Sequence, residues 1–264
     1  MKNILYIILL STLAISSCTK VIDVDLNEVN TNVVIEGNYT AEDSTVRVQI
    51  SLTSNYFSAE PSPDINSATV TIVDELGNPT SIPSIGNGQY ELANYIPVFN
   101  SNYGLNVVYN SVSYTANCKM NTPVQLEDIT SAYFPSFFGS EPGYATFMNF
   151  YDPAGVENFY AAILTVNGVE YAGIDEMFTQ DDQLTDGNLV ERPLFTNELF
   201  DIDDTIGMEL RSIDPVIYDY INQTSSIAGG GNSTAPGNPI SNWDNDALGY
   251  FNCYSSSRKE IIIQ

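Results

Sequence analysis

Short segments in which apolar and polar residues alternate recur along most of this chain. The clearest covers residues 46–52, where every second residue is apolar. Similar segments follow at intervals of roughly 8–15 residues, with turn-forming residues between them. Because a β-strand directs alternate side chains to opposite faces, each segment predicts a strand with one buried face. The chain is therefore predicted to be mainly β.

These segments divide the chain into two parts. Residues 32–121 have the strand spacing of an immunoglobulin-like β-sandwich. Residues 122–264 are predicted to form a second β-rich domain with an acidic loop at 175–204 and one short helix. Its predicted strands include residues 145–151, residues 248–251 and the terminal apolar residues 261–263. We expect that helix to begin at Pro215, with Asp214 as its N-cap.

Two dipeptides predict tight hairpins between neighbouring strands. Asn167-Gly168 separates two apolar segments and is the stronger signal, since both residue types tolerate a positive φ. Asn110-Ser111 is the second such turn. Each is expected to join two antiparallel strands.

The first 18 residues have the pattern of a bacterial lipoprotein signal peptide. Lys2 precedes an apolar run over residues 4–15, and two serines then precede Cys18. That run of about 12 residues is shorter than the roughly 20 that a membrane-spanning helix needs. We expect residues 1–17 to be a signal peptide that is removed; an ordinary secretory signal is the alternative.

Lipidation of Cys18 would anchor the remaining chain. Residues 18–31 are expected to form a lipidated tether, with diacylglycerol and a further acyl chain such as palmitate on Cys18. Several acyl chains on one residue meet the requirement for stable membrane attachment. Lys20 and the acidic residues after it resemble a signal for the outer face of the outer membrane. The expected location is therefore the outer membrane, facing the cell exterior.

The charge of the chain is strongly negative. It contains 33 acidic and 8 basic residues, a formal net charge of −25. Nucleic acid is excluded as a natural partner, because too few basic residues are present to neutralise phosphates. An anionic membrane surface would also repel the chain, so the lipid must supply the anchor. One interpretation of this charge is that it keeps the protein soluble. The other is that it attracts Ca²⁺ or a basic partner.

The sequence argues against an enzyme. It contains no histidine, which excludes Ser-His-Asp and Cys-His catalysis and zinc sites with histidine ligands. The glycines at 229–231 lack the lysine and preceding strand of a phosphate-binding loop. Carboxylate-based glycan hydrolysis remains an alternative, although no particular pair of acids is indicated.

One acidic stretch partly matches a calcium-binding loop. Residues 182–187 place Asp and Gly as an EF-hand loop does, but Leu184 and Pro193 occupy ligand positions. A looser calcium site with oxygen ligands is therefore the hypothesis, and a solvated acidic loop is the alternative. No other cofactor is predicted. The candidate ligands are Asp181, Asp182, Asp186, Asp201, Asp203 and Asp204.

Apart from Cys18, the chain has two cysteines, Cys118 and Cys253. In an oxidising compartment they could form a disulfide. They could equally be two small buried residues on strands, since free Cys behaves as a hydrophobe. The sequence leaves both alternatives open.

Several of these features together resemble one family. They are the lipobox ending at Cys18, residues 33–37, the strand at 68–74 with Gly77, residues 88–90, and residues 238–243 leading into 248–251. The set resembles the Bacteroidota outer-membrane lipoproteins of the domain-of-unknown-function family 4249. The resemblance covers nearly the whole chain after the signal peptide.

The resemblance implies a non-catalytic lipoprotein in two β-rich parts. Such proteins are often encoded beside TonB-dependent outer-membrane transporters, which implies a binding or accessory subunit of a transporter. Trp243 would then belong to the core rather than form a ligand platform. The implied lineage also makes Ser44 and Thr205 candidate O-glycosylation sites, since both follow an aspartate.

We predict that aromatic residues around Pro135 form a contact surface for a ligand or partner. They are Tyr133, Phe134, Phe137 and Phe138. A structural or adhesive surface module without cargo is the main alternative function, and a carboxylate-based glycan hydrolase is another.

Overall fold

Strands build almost all of the regular structure among the described residues. The computed structural model describes residues 31–54, 61–135, 141–171, 173–174, 177–194, 199–228 and 237–264. The predicted signal peptide and nearly all of the predicted tether lie outside these ranges. The helix in these ranges lacks the length and hydrophobicity that a membrane span requires.

The described elements are sixteen strands and one helix. In chain order they are β1 (Val33–Thr40), β2 (Thr45–Leu52), β3 (Thr69–Val73), β4 (Pro79–Ile82), β5 (Ser84–Gly86), β6 (Gln89–Leu92), β7 (Ser101–Tyr109), β8 (Val112–Met120), β9 (Leu126–Phe134), β10 (Gly143–Tyr151), β11 (Phe159–Val166), β12 (Val169–Tyr171), β13 (Phe178–Asp181), β14 (Leu189–Leu194), β15 (Thr205–Ile213), α1 (Pro215–Ala228) and β16 (Leu248–Ile262).

The strands form one large sheet and two small ones. The large sheet has the order β12-β11-β15-β16-β1-β2-β6-β5, with β13 also paired to β11. The small sheets have the orders β4-β3-β7-β8 and β14-β10-β9. Every paired strand is antiparallel to its neighbour except β1, which runs parallel to β16. The large sheet therefore joins strands from both sides of the boundary predicted at residue 121.

Both small sheets pack against the same face of the large sheet. The first core contains Ile35 of the large sheet and Leu105 of the four-stranded sheet, together with Phe251 of β16. The second contains Phe150 of the three-stranded sheet and Leu210 of β15. Leu210 is paired with Ser257, an even number of residues from Phe251, so both cores lie on one face. Residues 32–121 thus contribute strands to both sheets of a β-sandwich. The predicted mainly β fold class with one helix is confirmed.

Both predicted hairpins are present. Asn167 and Gly168 have φ values of 50° and 79°, and they connect β11 to β12. Asn110 and Ser111 have φ values of 48° and 65° and connect β7 to β8. Positive φ at both central residues is the turn geometry that matches the twist of two antiparallel strands.

Two segments differ from the sequence-based expectation. The stretch 175–204, predicted as one acidic loop, contains β13 and β14, because Val190 and Leu194 are buried in the second core. The last strand is a single element of 15 residues, Leu248–Ile262, rather than two short ones. Its first half pairs with β1 and its second half with β15.

The helix α1 begins at Pro215 as predicted. The backbone carbonyl of Asp214 accepts hydrogen bonds from the N–H groups of Ile217 and Tyr218. The Asp214 carboxylate turns instead toward β8, where it accepts a hydrogen bond from the Lys119 N–H at 2.9 Å. Asp214 thus links the start of the helix to the sandwich.

Candidate functional site

The face of the large sheet that points away from both small sheets carries polar side chains, and we call it the outer face. Helix α1 lies against it. The ring of Tyr220 is 5.2 Å from that of Tyr250 on β16, and the ring of Tyr218 is 5.2 Å from that of Phe159 on β11. The helix leaves room for two depressions on this face.

The first depression, the Tyr250 groove, has a volume of about 370 Å³. Arg47 lies beside it and pairs with Asp43 at 2.5 Å and with Glu91 at 3.2 Å. These partners are largely exposed, so the pairs add little stability. The polar residues that line the groove are Glu36, Asn38, Arg47, Gln49, Gln89, Glu91 and Tyr250.

The second depression, the Glu209 cavity, has a volume of about 420 Å³ and lies over β11, β15 and β16. Its lining includes Ile163, Thr165, Glu170, Gly207, Glu209, Arg258 and Glu260. Pairing between the strands places Glu209 between Ile163 and Arg258, and Gly207 between Thr165 and Glu260. These residues alternate along their strands, so their side chains share the outer face.

Glu209 is the buried charge of this cavity. Its Oε2 atom accepts hydrogen bonds from Arg211 and Arg258, each at 3.0 Å. Arg258 also lies 3.4 Å from Glu42, and the Arg211 guanidinium is 4.3 Å from the ring centre of Tyr254. Glu209 is only 5% exposed, and its Oε1 atom is fully buried.

The two arginines keep Glu209 ionised. Burial alone would raise the pKa of its carboxyl group. The hydrogen bond from Arg211 and the charges of Arg211 and Arg258 outweigh that effect, so the pKa lies below its ordinary value. At neutral pH the cavity therefore contains a buried, ionised carboxylate.

A separate cluster of three carboxylates is the candidate metal centre. Oxygens of Asp152, Asp182 and Asp186 lie within 4.8 Å of one another. Asp152 and Asp182 are buried, whereas Asp186 is exposed. Carboxylate oxygens at this spacing are ligands that Ca²⁺ accepts.

Local hydrogen bonds hold these carboxylates in place. Asp182 accepts from the Asn158 N–H at 2.9 Å, and Asp186 accepts from the Gly155 N–H at 2.6 Å. The buried hydroxyl of Tyr160 donates to Asp152. Burial raises the pKa of Asp152, and the nearby carboxylates raise it further, so it stays above its ordinary value despite that hydrogen bond.

The structure brings together two of the six predicted calcium ligands, Asp182 and Asp186. Asp181 instead accepts a hydrogen bond from the hydroxyl of Tyr218 at 3.2 Å. Asp204 accepts one from the Asp201 N–H at 2.8 Å, in the turn before β15 that also contains Asp203. None of these four belongs to the cluster around Asp182.

The sequence reasoning missed Asp152. Its only signal was local: it follows the predicted strand at 145–151 directly and begins an Asp-Pro-Ala-Gly turn. An acid at the end of one strand approaches the loop at 182–187 only through the fold. The backbone N–H of Asp152 indeed donates to the carbonyl of Asn188 at 3.0 Å.

The predicted aromatic surface is described in part. Tyr133 is 59% exposed, and its ring packs edge-on against that of Tyr144 at 5.4 Å. Phe134 is partly buried. Phe137 and Phe138 lie outside the described residues, so the contact surface stays a prediction.

The two cysteines lie side by side in the first core as free, buried thiols. The backbone N–H of Cys253 donates a hydrogen bond to the Cys118 sulfur at 3.0 Å. Burial raises the pKa of the Cys253 thiol well above its ordinary value. The disulfide stays a prediction, as does the inert alternative.

One candidate modification site lies in a turn and the other begins a strand. Ser44 has a φ of 51° at the end of the turn between β1 and β2, and it is partly buried. Thr205 is the first residue of β15, where its N–H donates to the Asn167 side chain at 2.9 Å. Cys18, the predicted lipidation site, lies outside the described residues.

Comparison with known proteins gives the class of this chain. A family model described as "Domain of unknown function (DUF4249)" matches residues 19–260. That match covers nearly the whole chain, so the protein belongs to this family. No curated protein matches the chain.

Solved structures resemble the chain only distantly. A chicken tenascin segment of two fibronectin type-III domains is 11% identical, with 69% of this chain and 91% of that one covered and a TM-score of 0.23. The chicken interferon gamma receptor alpha chain is 11% identical, with 70% and 90% covered and a TM-score of 0.22. At such scores neither likeness supports an inference about this chain.

Proposed function

We propose that this protein is a lipid-anchored lipoprotein of the Bacteroidota outer membrane that faces the cell exterior and binds a ligand without catalysis. The observation that carries the binding role is the outer face, where the Glu209 cavity and the Tyr250 groove offer depressions of about 420 and 370 Å³. Such volumes suit small ligands. The lipobox at Cys18 supports the location.

We propose further that the protein is an accessory subunit of a TonB-dependent transporter. This step is supported by the family resemblance, since such lipoproteins are often encoded beside these transporters. The large sheet is a rigid platform for a partner, because β16 is hydrogen bonded along its whole length to β1 and β15. Exposed side chains such as Tyr133 would supply contacts.

The anchor can be tested by substitution of a single residue. Cys18→Ala should release the protein from the membrane fraction. Without the lipid, the strongly negative chain would be repelled by an anionic membrane surface. Cys118→Ala is the matched control and should leave the protein membrane-bound. Cys18→Ala protein that sediments with membranes would refute the anchor.

The partner can be tested by affinity purification of the lipidated protein from native outer membranes. A co-purifying transporter would support the accessory role. Its absence would favour a structural or adhesive surface module instead. Cleavage of a glycan by the pure protein would establish the hydrolase alternative and overturn the non-catalytic role.

A further inference from the structure

Strand β9 lies at one edge of the three-stranded sheet, and part of its outer side is open. Among the described residues it pairs only with β10. Tyr144 of β10 directs both its N–H and its C=O group to Phe200, on the side away from β9. Because Tyr133 is opposite Tyr144, its own N–H and C=O groups point away from β10. The direction alternates along a strand, so those of Ser131 and Ile129 also point outward.

Some of these outward groups already have partners. The carbonyl of Glu127 accepts a hydrogen bond from the Lys259 ammonium, and the N–H of Ile129 donates to the carboxylate of the preceding residue at 2.8 Å. None of the residues that the structure describes bonds to the outward groups of Ser131 or Tyr133. These two residues therefore offer backbone donors and acceptors to another strand.

The other edge strands of the described sheets are short or protected. Strands β4, β5, β12 and β13 have three or four residues each. On β14, Pro193 occupies an outward position and has no N–H to offer. On β8, the Thr115 N–H donates to the Asp244 carboxylate at 2.6 Å, and the Lys119 N–H donates to that of Asp214 at 2.9 Å. Proteins protect sheet edges in these ways against pairing with another chain, so the open edge of β9 indicates a pairing site.

The sequence of the open edge also suits strand pairing. Residues 129–135 read Ile-Thr-Ser-Ala-Tyr-Phe-Pro and contain no charged residue. Isoleucine, threonine and the two aromatic residues are frequent in strands. Residues 130–133 are all exposed, so both faces of this segment are accessible.

The pattern of open groups is complementary to itself. In an antiparallel pair of two β9 strands with Ala132 opposite Ala132, Ser131 of each copy is opposite Tyr133 of the other, and each such pair exchanges two hydrogen bonds. Beyond them, Ile129, whose N–H is occupied, is opposite Pro135, which has none, so the ladder ends there. A pair centred on Ser131 or on Tyr133 would instead set an open residue opposite Ile129 or Pro135.

We propose that β9 pairs antiparallel with β9 of a second copy of this chain, centred on Ala132, so that the two three-stranded sheets join into one. An interface of one short strand is small, so the pairing is reversible. The net charge of −25 opposes association, but salt screens exposed charges beyond roughly 8 Å at physiological ionic strength. The dimer should therefore strengthen with salt. This interaction goes beyond the proposed ligand binding and does not depend on it.

A cysteine at the centre of the pair tests the register. Opposite residues at a position that is not hydrogen bonded have Cα atoms about 4.5 Å apart, which a disulfide can span. Ala132→Cys in the full chain, purified in neutral detergent, should form a covalent dimer under mild oxidation on a non-reducing gel. Thr130→Cys is the matched control, since it is exposed on the same face of β9 but would be roughly 13 Å from its copy. The wild type, whose Cys118 and Cys253 are buried, is the blank.

We expect several-fold more covalent dimer from Ala132→Cys than from Thr130→Cys. Equal amounts from both variants would mean random collision and would overturn the proposal. No dimer from Ala132→Cys would overturn it too, as would cross-linking of Ala132→Cys in native membranes to a different protein in place of a second copy.

Removal of a backbone donor tests the interface without a cross-link. Ser131→Pro removes an outward N–H and no bond to β10, so the monomer should still fold. It removes half of the hydrogen bonds between the copies, so the dissociation constant of the dimer should rise about tenfold or more. Ser131→Ala, which keeps the N–H, is the control and should dimerise as the wild type does.

Analytical ultracentrifugation in density-matched detergent measures these constants at low and high salt. Wild-type protein that stays monomeric at both, or a Ser131→Pro variant that dimerises as well as Ser131→Ala, would overturn the proposal. Thermal melts show whether each variant is folded. If Ser131→Pro fails to fold, the comparison of the two cysteine variants still decides. Recovery of a transporter does not enter either experiment, so the accessory role is tested separately.

Discussion

The indole Nε1–H of Trp243 donates a hydrogen bond to the backbone carbonyl of Ile35 at 3.0 Å. Ile35 lies on β1, and Trp243 precedes β16, the strand that runs parallel to β1. Parallel neighbours cannot be joined by a tight turn, so other contacts must define their alignment. The buried bond from Trp243 fixes where β16 enters the sheet.

Replacement of this side chain should destabilise the fold. Trp243→Phe removes the donor and leaves the Ile35 carbonyl without it, at a cost of about 1–3 kcal/mol, beyond the loss of packing from a smaller ring. Urea denaturation followed by circular dichroism measures the free energy of unfolding. Tyr151→Phe, at a residue that is 60% exposed, is the control and should change little. Equal stability of Trp243→Phe and the wild type would contradict the role of this bond.

Gly249, next to Leu248 at the start of β16, is the second constraint on this strand. It has a φ of 94°, and a Cβ on it would lie 2.2 Å from the carbonyl oxygen of Ile35. Gly77 has a similar φ of 84° but no atom within 4 Å of such a Cβ. Gly77→Ala should cost about 1–2 kcal/mol for the backbone conformation alone, and Gly249→Ala clearly more. Similar losses in the two variants would show that the contact with Ile35 is unimportant.

Local patterns predicted the strands well because alternation and turn residues are local signals. The segment at 46–52 lies within β2, and both predicted hairpins are present. The pairing of β1 with β16 could not be predicted, since it joins residues more than 200 positions apart and leaves no periodic trace in either strand. The two halves of β16 also looked like separate strands, because the Ser255–Ser257 stretch between them is polar.

The candidate sites were harder to predict, because they too combine residues that are distant in the sequence. Asp182 and Asp186 were found as a local pair, but Asp152 joins them through the fold. Glu209 has an apolar neighbour on each side in the sequence and resembles any solvent-facing strand residue. Its ion-pair partner Arg258 lies on the neighbouring strand. No tight turn joins β15 to β16, so the turn geometry that sets the register of a hairpin gives no signal here.

The two core thiols should be unreactive in the folded protein. Both are buried, and the raised pKa of Cys253 keeps its thiolate population small near neutral pH. A thiol reagent should therefore modify neither residue in native protein and both in denaturant without a reductant. Cys118→Ala should lower the denatured count by one. Absence of reactive thiols in denaturant would show instead that the predicted disulfide forms.

Glu209 should make stability depend on acid pH. Its folded-state pKa is below the ordinary value of 4.5, so its contribution is present above that value and is lost as pH falls through the folded pKa. At pH 7 we expect Glu209→Gln to cost up to about 3 kcal/mol, a value limited by the exposure of Arg258. The difference from wild type should shrink toward pH 3, as measured by urea denaturation across pH. A constant difference, or one matched by exposed Glu75→Gln, would contradict this account.

Calcium binding at the cluster of Asp152, Asp182 and Asp186 should be visible as thermal stabilisation. A cation would relieve the repulsion between carboxylates of which two are buried. With Ca²⁺ at about a hundred times its dissociation constant, the melting temperature should rise by roughly 5–10 °C over that in EDTA. Asp186→Asn should largely remove the rise, because it takes away one of the three negative charges, at an exposed position. Asp203→Asn, at a predicted ligand that lies outside the cluster, should retain it. A rise that persists in Asp186→Asn, or none in the wild type, would exclude calcium from this cluster.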